Sequence, residues 1–250
     1  DLANRRPGRL DEGRLPVRSL ALAATAVPSR PGHVDFKRLD LQLADGQGPA
    51  GRAGGSGQWR GGAGSDGTLG LSLQLTDRQE LIEVAASAPA EEKNGVRHYH
   101  LELARGFSFS VSDSYFEHEI VQDGVRIHSY VFMESQEAGK AVTEIAAQAL
   151  KLFGELYFPY PREMLTIVVA DFLHNMEMDG MVMISYGVFD FYNKTPKTNL
   201  TILTPHEISH QWFYSMVGND QALEPWLDES LATYHEVLFY QRYHPDLVQW

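Results

Sequence analysis

Residues 204–236 read TPHEISHQWFYSMVGNDQALEPWLDESLATYHE, and this stretch decides how the rest of the chain is read. It opens with His206-Glu207-Ile208-Ser209-His210, an H-E-x-x-H pattern. On a helix, positions four apart differ by about 40° after one full turn and by about 6 Å of rise, so both imidazoles can face one metal ion. Glu207 lies about 100° round, within reach of water on that ion. The pattern is a recurrent zinc site with the glutamate as general base. In a chain of 250 residues with ten histidines, about 0.03 matches are expected by chance. A zinc site needs a third protein ligand and an open position. Glu229 supplies a candidate, with eighteen residues between it and His210, enough for one helix to end and a second to lie against it.

Each glutamate also has a plainer reading. Thr204-Pro205-His206-Glu207 spells a capping box with proline at the first helical position, which would leave Glu207 closing a helix start. Leu227, Leu231, Tyr234 and Leu238 form an apolar helical stripe, which would put Glu229 and Glu236 on a solvated face. Neither reading accounts for the joint spacing.

Working upstream, the pattern predicts helices at about 203–217 and 225–243 and buried strands at 164–170 and 181–192. Val142, Ile145, Ala149, Leu152 and Leu156 make one helical stripe, with Ser135 placed to cap it and Pro159 and Pro161 to end it. Before residue 133 the period is two, over 34–43, 69–75, 81–85, 97–103, 107–111 and 126–132, with turn signals at Lys93-Asn94-Gly95 and Gln122-Asp123-Gly124. Residues 46–70 hold eleven of the 22 glycines and read as a low-complexity loop. The G-x-G-x-x-G within it, from Gly46, lacks the strand and helix that a dinucleotide site requires. The expected fold is α+β, with a mostly antiparallel β domain over 1–132 and a second domain over 133–250.

Composition narrows the chemistry. The 250 residues carry a net charge of −12 and no cysteine, which excludes disulfides, thiolate metal sites and a cysteine nucleophile. A transition metal here must be held by His, Asp or Glu. The first 60 residues hold ten Lys and Arg against six Asp and Glu, leaving eleven against twenty-seven in the remainder. That acidic bulk argues against a nucleic-acid partner. No apolar run approaches the ~18 residues of a membrane span, and the short run LALAATAV at 20–27 reads as a strand.

The 204–236 stretch resembles the gluzincin aminopeptidases, the aminopeptidase N family, which pair H-E-x-x-H with a glutamate after eighteen residues in a W-L-N-E-G-like context. His210-Gln211-Trp212-Phe213 and Trp226-Leu227-Asp228-Glu229 are similar to its flanking sequence, and Asn175-Met176-Glu177-Met178-Asp179-Gly180 stands where the family has G-A-M-E-N or G-G-M-E-Y-P-G. Departures are Asp228 for the usual Asn, Ser230 and Tyr214 for Gly, and Asn175 for Gly or Ala. The resemblance implies a thermolysin-like zinc peptidase domain, incomplete at its C-terminus because the family's catalytic tyrosine has no equivalent in the residues after Glu229. It implies one zinc ion per chain on His206, His210 and Glu229, with Glu207 as the base. Glu177 would bind the free α-ammonium of a peptide substrate. Glu236 would steady a zinc ligand from behind, as metal sites commonly require. The implied reaction is removal of N-terminal residues from peptides. The alternatives are a zinc endopeptidase with the same ligands and a zinc-bearing binding module without turnover.

Overall fold

The computed structural model describes residues 83–247, apart from 95, 103, 105, 113, 171–173 and 222, together with the backbone of three upstream strands. In chain order the strands before the first helix are β1 (Leu20–Ala24), β2 (Gly57–Ala63), β3 (Leu69–Leu75), β4 (Glu83–Ala86), β5 (Ala90–Lys93), β6 (Val96–Leu101), β7 (Phe107–Ser112), β8 (Phe116–Gln122) and β9 (Val125–Val131). Then come α1 (Gln136–Leu156), β10 (Met164–Ala170), β11 (Met176–Met178), β12 (Met181–Ser185), α2 (Tyr186–Asp190), α3 (Asn199–Ser209) and α4 (Trp226–Tyr243). The fold is mixed α+β, as the change of period requires.

The strands form three sheets, ordered β1-β7-β4, β2-β3-β6-β5 and β11-β12-β10-β9-β8. The first two are antiparallel throughout. Both turn signals close two-residue hairpins: Lys93 pairs with Val96 and Gln122 with Val125, and Asn94 and Asp123 take the positive φ that such turns need. The third sheet is mixed, with β10 parallel to both β9 and β12 and antiparallel strands at its edges. It joins β8 and β9, from before residue 133, to strands after it.

β10 is buried along its whole length, and so is β12, as expected for parallel strands covered on both faces. α1 packs on β8 and β9, α3 on α1, and α4 on α3. Gly139 sets the first of these distances. A Cβ there would lie 2.7 Å from Val131 and 2.8 Å from His118, and Ser129 Oγ donates to its carbonyl at 2.9 Å. On the opposite sheet face Thr166 Oγ1 donates to Ala86 O at 2.7 Å, tying β10 to β4.

Several expectations change. The strand expected over 181–192 ends at Ser185, where its partner β10 runs out at Ala170, and the chain turns into α2. Ser135 occupies the N-cap position of α1 but makes no capping bond, being the buried last residue of a 3-10 turn, Met133–Ser135, that runs into the helix. The helix expected at 203–217 runs from Asn199 to Ser209, with Pro205 inside it. Thr204 Oγ1 donates back to Leu200 O at 2.6 Å, so Thr204-Pro205 is mid-helix and the capping-box reading of Glu207 falls. On α4 the buried positions are Asp228, Ala232, His235 and Phe239, whereas Leu227 and Tyr234 are exposed. The helix is turned from its expected face, and His235 on the buried side packs edge-on against Phe153 and Tyr157, stacks on Phe213 and bonds Tyr157 OH at 2.6 Å. Glu229 and Glu236 consequently lie together on the flank of the buried face, about 90° from its centre. β2 falls within the glycine-rich stretch. The G-x-G-x-x-G run and the strand expected at 34–43 lie outside the described residues. No helix among the described residues is long and apolar enough to cross a membrane.

Candidate metal centre

His206 lies in the last turn of α3 and His210 caps its C-terminus with helical backbone angles, so the spacing of four acts as a helix predicts. Their rings are 5.2 Å apart, centroid to centroid. Glu229, in the first turn of α4, faces both. Its Oε2 is 3.2 Å from His206 Nε2 and its Oε1 is 3.8 Å from His210 Nε2. One donor atom from each of the three residues lies within 4.8 Å of the others.

Both rings are oriented from behind. His206 Nδ1 donates to Glu236 Oε1 at 2.7 Å, and His210 Nδ1 donates to Phe213 O at 3.2 Å. Each ring therefore turns Nε2 toward Glu229, and His206 Nε2 hydrogen-bonds Glu229 Oε2 at 3.2 Å, a contact that a bound cation would replace. His210 is fully buried, and its Nε2 has no hydrogen-bond partner among the described residues. Burial works against a charge on His206, but the Glu236 hydrogen bond and the neighbouring carboxylates outweigh it and raise its pKa. Two imidazoles and a carboxylate are a donor set suited to zinc, and a cation among them would satisfy the orphaned nitrogen and the clustered negative charge together. The residues fit the group.

Glu207 is 5% exposed. Burial pushes its carboxyl up to about 8, opposed by His206 and by a hydrogen bond from Asn175, and reinforced by the charges of Glu177 and Glu229. Asn175 Oδ1 in turn accepts from Ser185 N at 2.9 Å, so the amide is fixed between β12 and Glu207. Asn175 is one of the departures noted in the sequence, and its role could not be read without the fold.

Glu177 stands on β11, opposite Val182 of β12. It reaches the same site: donor atoms of Glu177, Glu207 and His210 lie within 4.8 Å of one another. Gln211, next to His210, holds this strand in place. Its Nε2 donates to Met178 O at 2.8 Å and its Oε1 accepts from Gly180 N at 2.9 Å. Gly180 has φ +70, and a Cβ there would collide with the Ser87 carbonyl. Asp179, buried beside it, accepts from Gly106 N at 2.8 Å and from Ser215 Oγ, and lies 3.6 Å from Arg162. The six expected residues thus converge from α3, α4 and β11.

Three residues not anticipated as site members join them. Asp228, 2% exposed, accepts from Asn219 Nδ2 at 2.8 Å and from Gln221 Nε2 at 2.6 Å, and Gln221 Nε2 also donates to Glu177 Oε1 at 2.8 Å. Their only sequence signal was Asp228 in place of Asn. A separate group on the β8–β9 hairpin, Glu117, Glu119 and His128, also brings three donor atoms within 4.8 Å. There His128 Nδ1 already bonds Glu117 Oε1 at 2.5 Å and Tyr130 OH donates to the same oxygen, so that carboxylate oxygen and Nδ1 are engaged with each other, while the buried His128 Nε2 has no hydrogen-bond partner among the described residues.

Comparison with known proteins gives a consistent family. Residues 141–250 match the peptidase family M1 domain. The chain is 30% identical to aminopeptidase M1-A of Oryza sativa subsp. japonica over 135 residues, which is 51% of this chain and 15% of that protein. It is 30% identical to aminopeptidase N of Lactobacillus delbrueckii subsp. lactis over 197 residues, 73% of this chain and 23% of that protein. Against aminopeptidase M1-D of Oryza sativa subsp. japonica the identity is 25% over 138 residues, 52% of this chain and 16% of that protein. The chain thus spans less than a quarter of the length of each of these curated relatives.

Proposed function

From the membership of residues 141–250 in peptidase family M1, we propose that the chain carries the metal and substrate-amine sites of a zinc-dependent aminopeptidase. One observation supports this above the rest. A ring nitrogen each of His206 and His210 and the Glu229 carboxylate lie within 4.8 Å of one another, with Glu207 buried beside them. On this reading the mixed sheet, with β8 and β9 completing it, and the helices α3 and α4 form a thermolysin-like arrangement.

His206, His210 and Glu229 would hold one zinc ion. Zinc held this way polarises a carbonyl and makes water a stronger acid. Beside a bound cation Glu207 would favour its carboxylate over the acid form that burial favours without one, and as the carboxylate Glu207 is the general base, taking a proton from the attacking water and returning it to the leaving amine. Its burial and its bond from Asn175 keep it close to that position without solvent competing for it. Glu236 holds His206 by Nδ1, which leaves Nε2 as the nitrogen facing the metal position. Glu177, whose carboxylate is within reach of Glu207, binds the substrate's α-ammonium through a charge-assisted bond. An N-blocked or internal peptide segment offers no such cation, so cleavage is limited to the first residue.

The test is metal analysis of the purified protein, with hydrolysis of a free-amine aminoacyl reporter and of its N-acetyl counterpart. One zinc per chain and hydrolysis of the free amine alone are expected. Equal cleavage of both reporters would make it an endopeptidase. Zinc without turnover would keep the metal site and remove the claim that these residues suffice for hydrolysis, and absence of zinc overturns the metal site itself.

A further inference from the structure

Gln221 lies outside every motif, in the connection between α3 and α4, yet it ends against two carboxylates. Its single amide nitrogen is 2.8 Å from Glu177 Oε1 and 2.6 Å from Asp228 Oδ2. A primary amide nitrogen carries two hydrogens, so one goes to each acid. Asp228 is itself fixed. It is buried in the first turn of α4, and its other oxygen accepts from Asn219 at 2.8 Å. The result is a bridge from the α4 turn that carries Glu229, through Gln221, to Glu177 on β11.

We propose that Gln221 is a positioning residue for the ammonium subsite, holding the Glu177 carboxylate at a fixed distance from the metal ligands so that it recognises the free amine of a peptide. The inference rests on the reading of Glu177 given above. Three physical points support it. Glu177 is a flexible side chain on a three-residue edge strand, and orienting it in advance removes an entropic cost of binding. The donor is uncharged, so it orients the carboxylate without cancelling its charge, as a Lys or Arg would. Gln221 engages Oε1, which leaves the second oxygen to an incoming ammonium.

The experiment is calorimetric binding of L-leucinamide and N-acetyl-L-leucinamide to the zinc-loaded protein and to Gln221→Met, which keeps the length and loses the donors, with zinc content measured for both. The unaltered protein should prefer the free amine. Gln221→Met should lose about tenfold of that preference, the size expected for a hydrogen bond to a charged group, with zinc content unchanged. A preference retained in full by Gln221→Met overturns the proposal. Absence of any preference in the unaltered protein overturns the Glu177 reading instead. Should Gln221→Met fail to fold, the side-chain amide resonances of Gln221 in the unaltered protein decide. They should shift on adding L-leucinamide and stay in place with the acetylated compound, and an unshifted pair overturns the proposal.

Discussion

Glu236 accepts a hydrogen bond from His206 Nδ1 at 2.7 Å, across two helices and thirty positions of sequence. The contact exists because Glu229 and Glu236, seven residues apart, share one flank of α4. Glu236→Ala should therefore weaken zinc binding by about 10–100-fold, the usual cost of losing a group that orients a ligand. Competition with a chelating dye measures it. Glu236→Gln, which keeps an acceptor, should lose less. Equal affinity in all three proteins would reduce the contact to a surface ion pair.

Glu207→Gln should leave zinc stoichiometry intact and reduce hydrolysis by about 10²–10⁴-fold, since the amide cannot take a proton. Metal analysis beside a free-amine reporter assay separates the two effects. Normal turnover would remove the base assignment.

Glu177→Ala should raise KM for free-amine peptides, with zinc content unchanged, and should narrow the gap between free and N-acetyl reporters. A charge-assisted bond contributes about 1.5–3 kcal/mol. A variant that loses both reporters in proportion would point to a structural role for Glu177.

Gly180→Ala tests the turn that presents Glu177. Its positive φ and the Ser87 carbonyl beside it leave no room for a methyl group. A loss of roughly 1–3 kcal/mol is expected, read as a lower thermal midpoint. An unchanged midpoint would mean that the turn and the segment around Ser87 move apart freely.

The β8–β9 hairpin has its own pH dependence. The His128 hydrogen bond holds the Glu117 carboxyl below its ordinary value, against a desolvation penalty. A carboxyl lowered on folding stabilises the folded state above the unfolded pKa, near 4.5, and that contribution disappears as pH falls through the folded value. Glu117→Gln should therefore flatten the loss of stability below about pH 4.5. Denaturant titrations at several pH values between neutral and pH 3 would show it, and parallel curves for the two proteins would count against a stabilising role for the Glu117–His128 hydrogen bond.

The sequence was most informative where chemistry and geometry share a short period. The spacing of His206 and His210 needs only one helix, and the period-two runs around 97–101 and 125–131 needed only alternation. It was least informative where the partner is distant. Thr204-Pro205 looks like a helix start in isolation, and only the fold shows residues 199–203 continuing the helix upstream. The stripe of Leu227, Leu231 and Tyr234 is the more apolar face of α4, yet the face that is buried carries Ala232, His235 and Phe239, with His235 against Phe153, Tyr157 and Phe213. The roles of Asn175, Asp228 and Gln221 depend on three segments meeting, and no local pattern encodes such a meeting.

The two histidines occupy the final turn of α3, not its middle. That end is buried, and its carbonyls are taken up by the turn that follows, Gln211 N donating to Ile208 O, Trp212 N to Ser209 O and Ser215 N to His210 O. That end also carries the negative pole of the helix, which favours a nearby cation. An ion held by the folded turn alone would link its occupancy to folding. Each tenfold rise in free zinc above its dissociation constant would add about 1.4 kcal/mol to the folded state. Removing the ion would be felt first at Phe213, whose carbonyl holds His210, and then at Gln211 and the strand it anchors. Metal depletion would thus loosen amine recognition as well as chemistry, through a helix end that serves both.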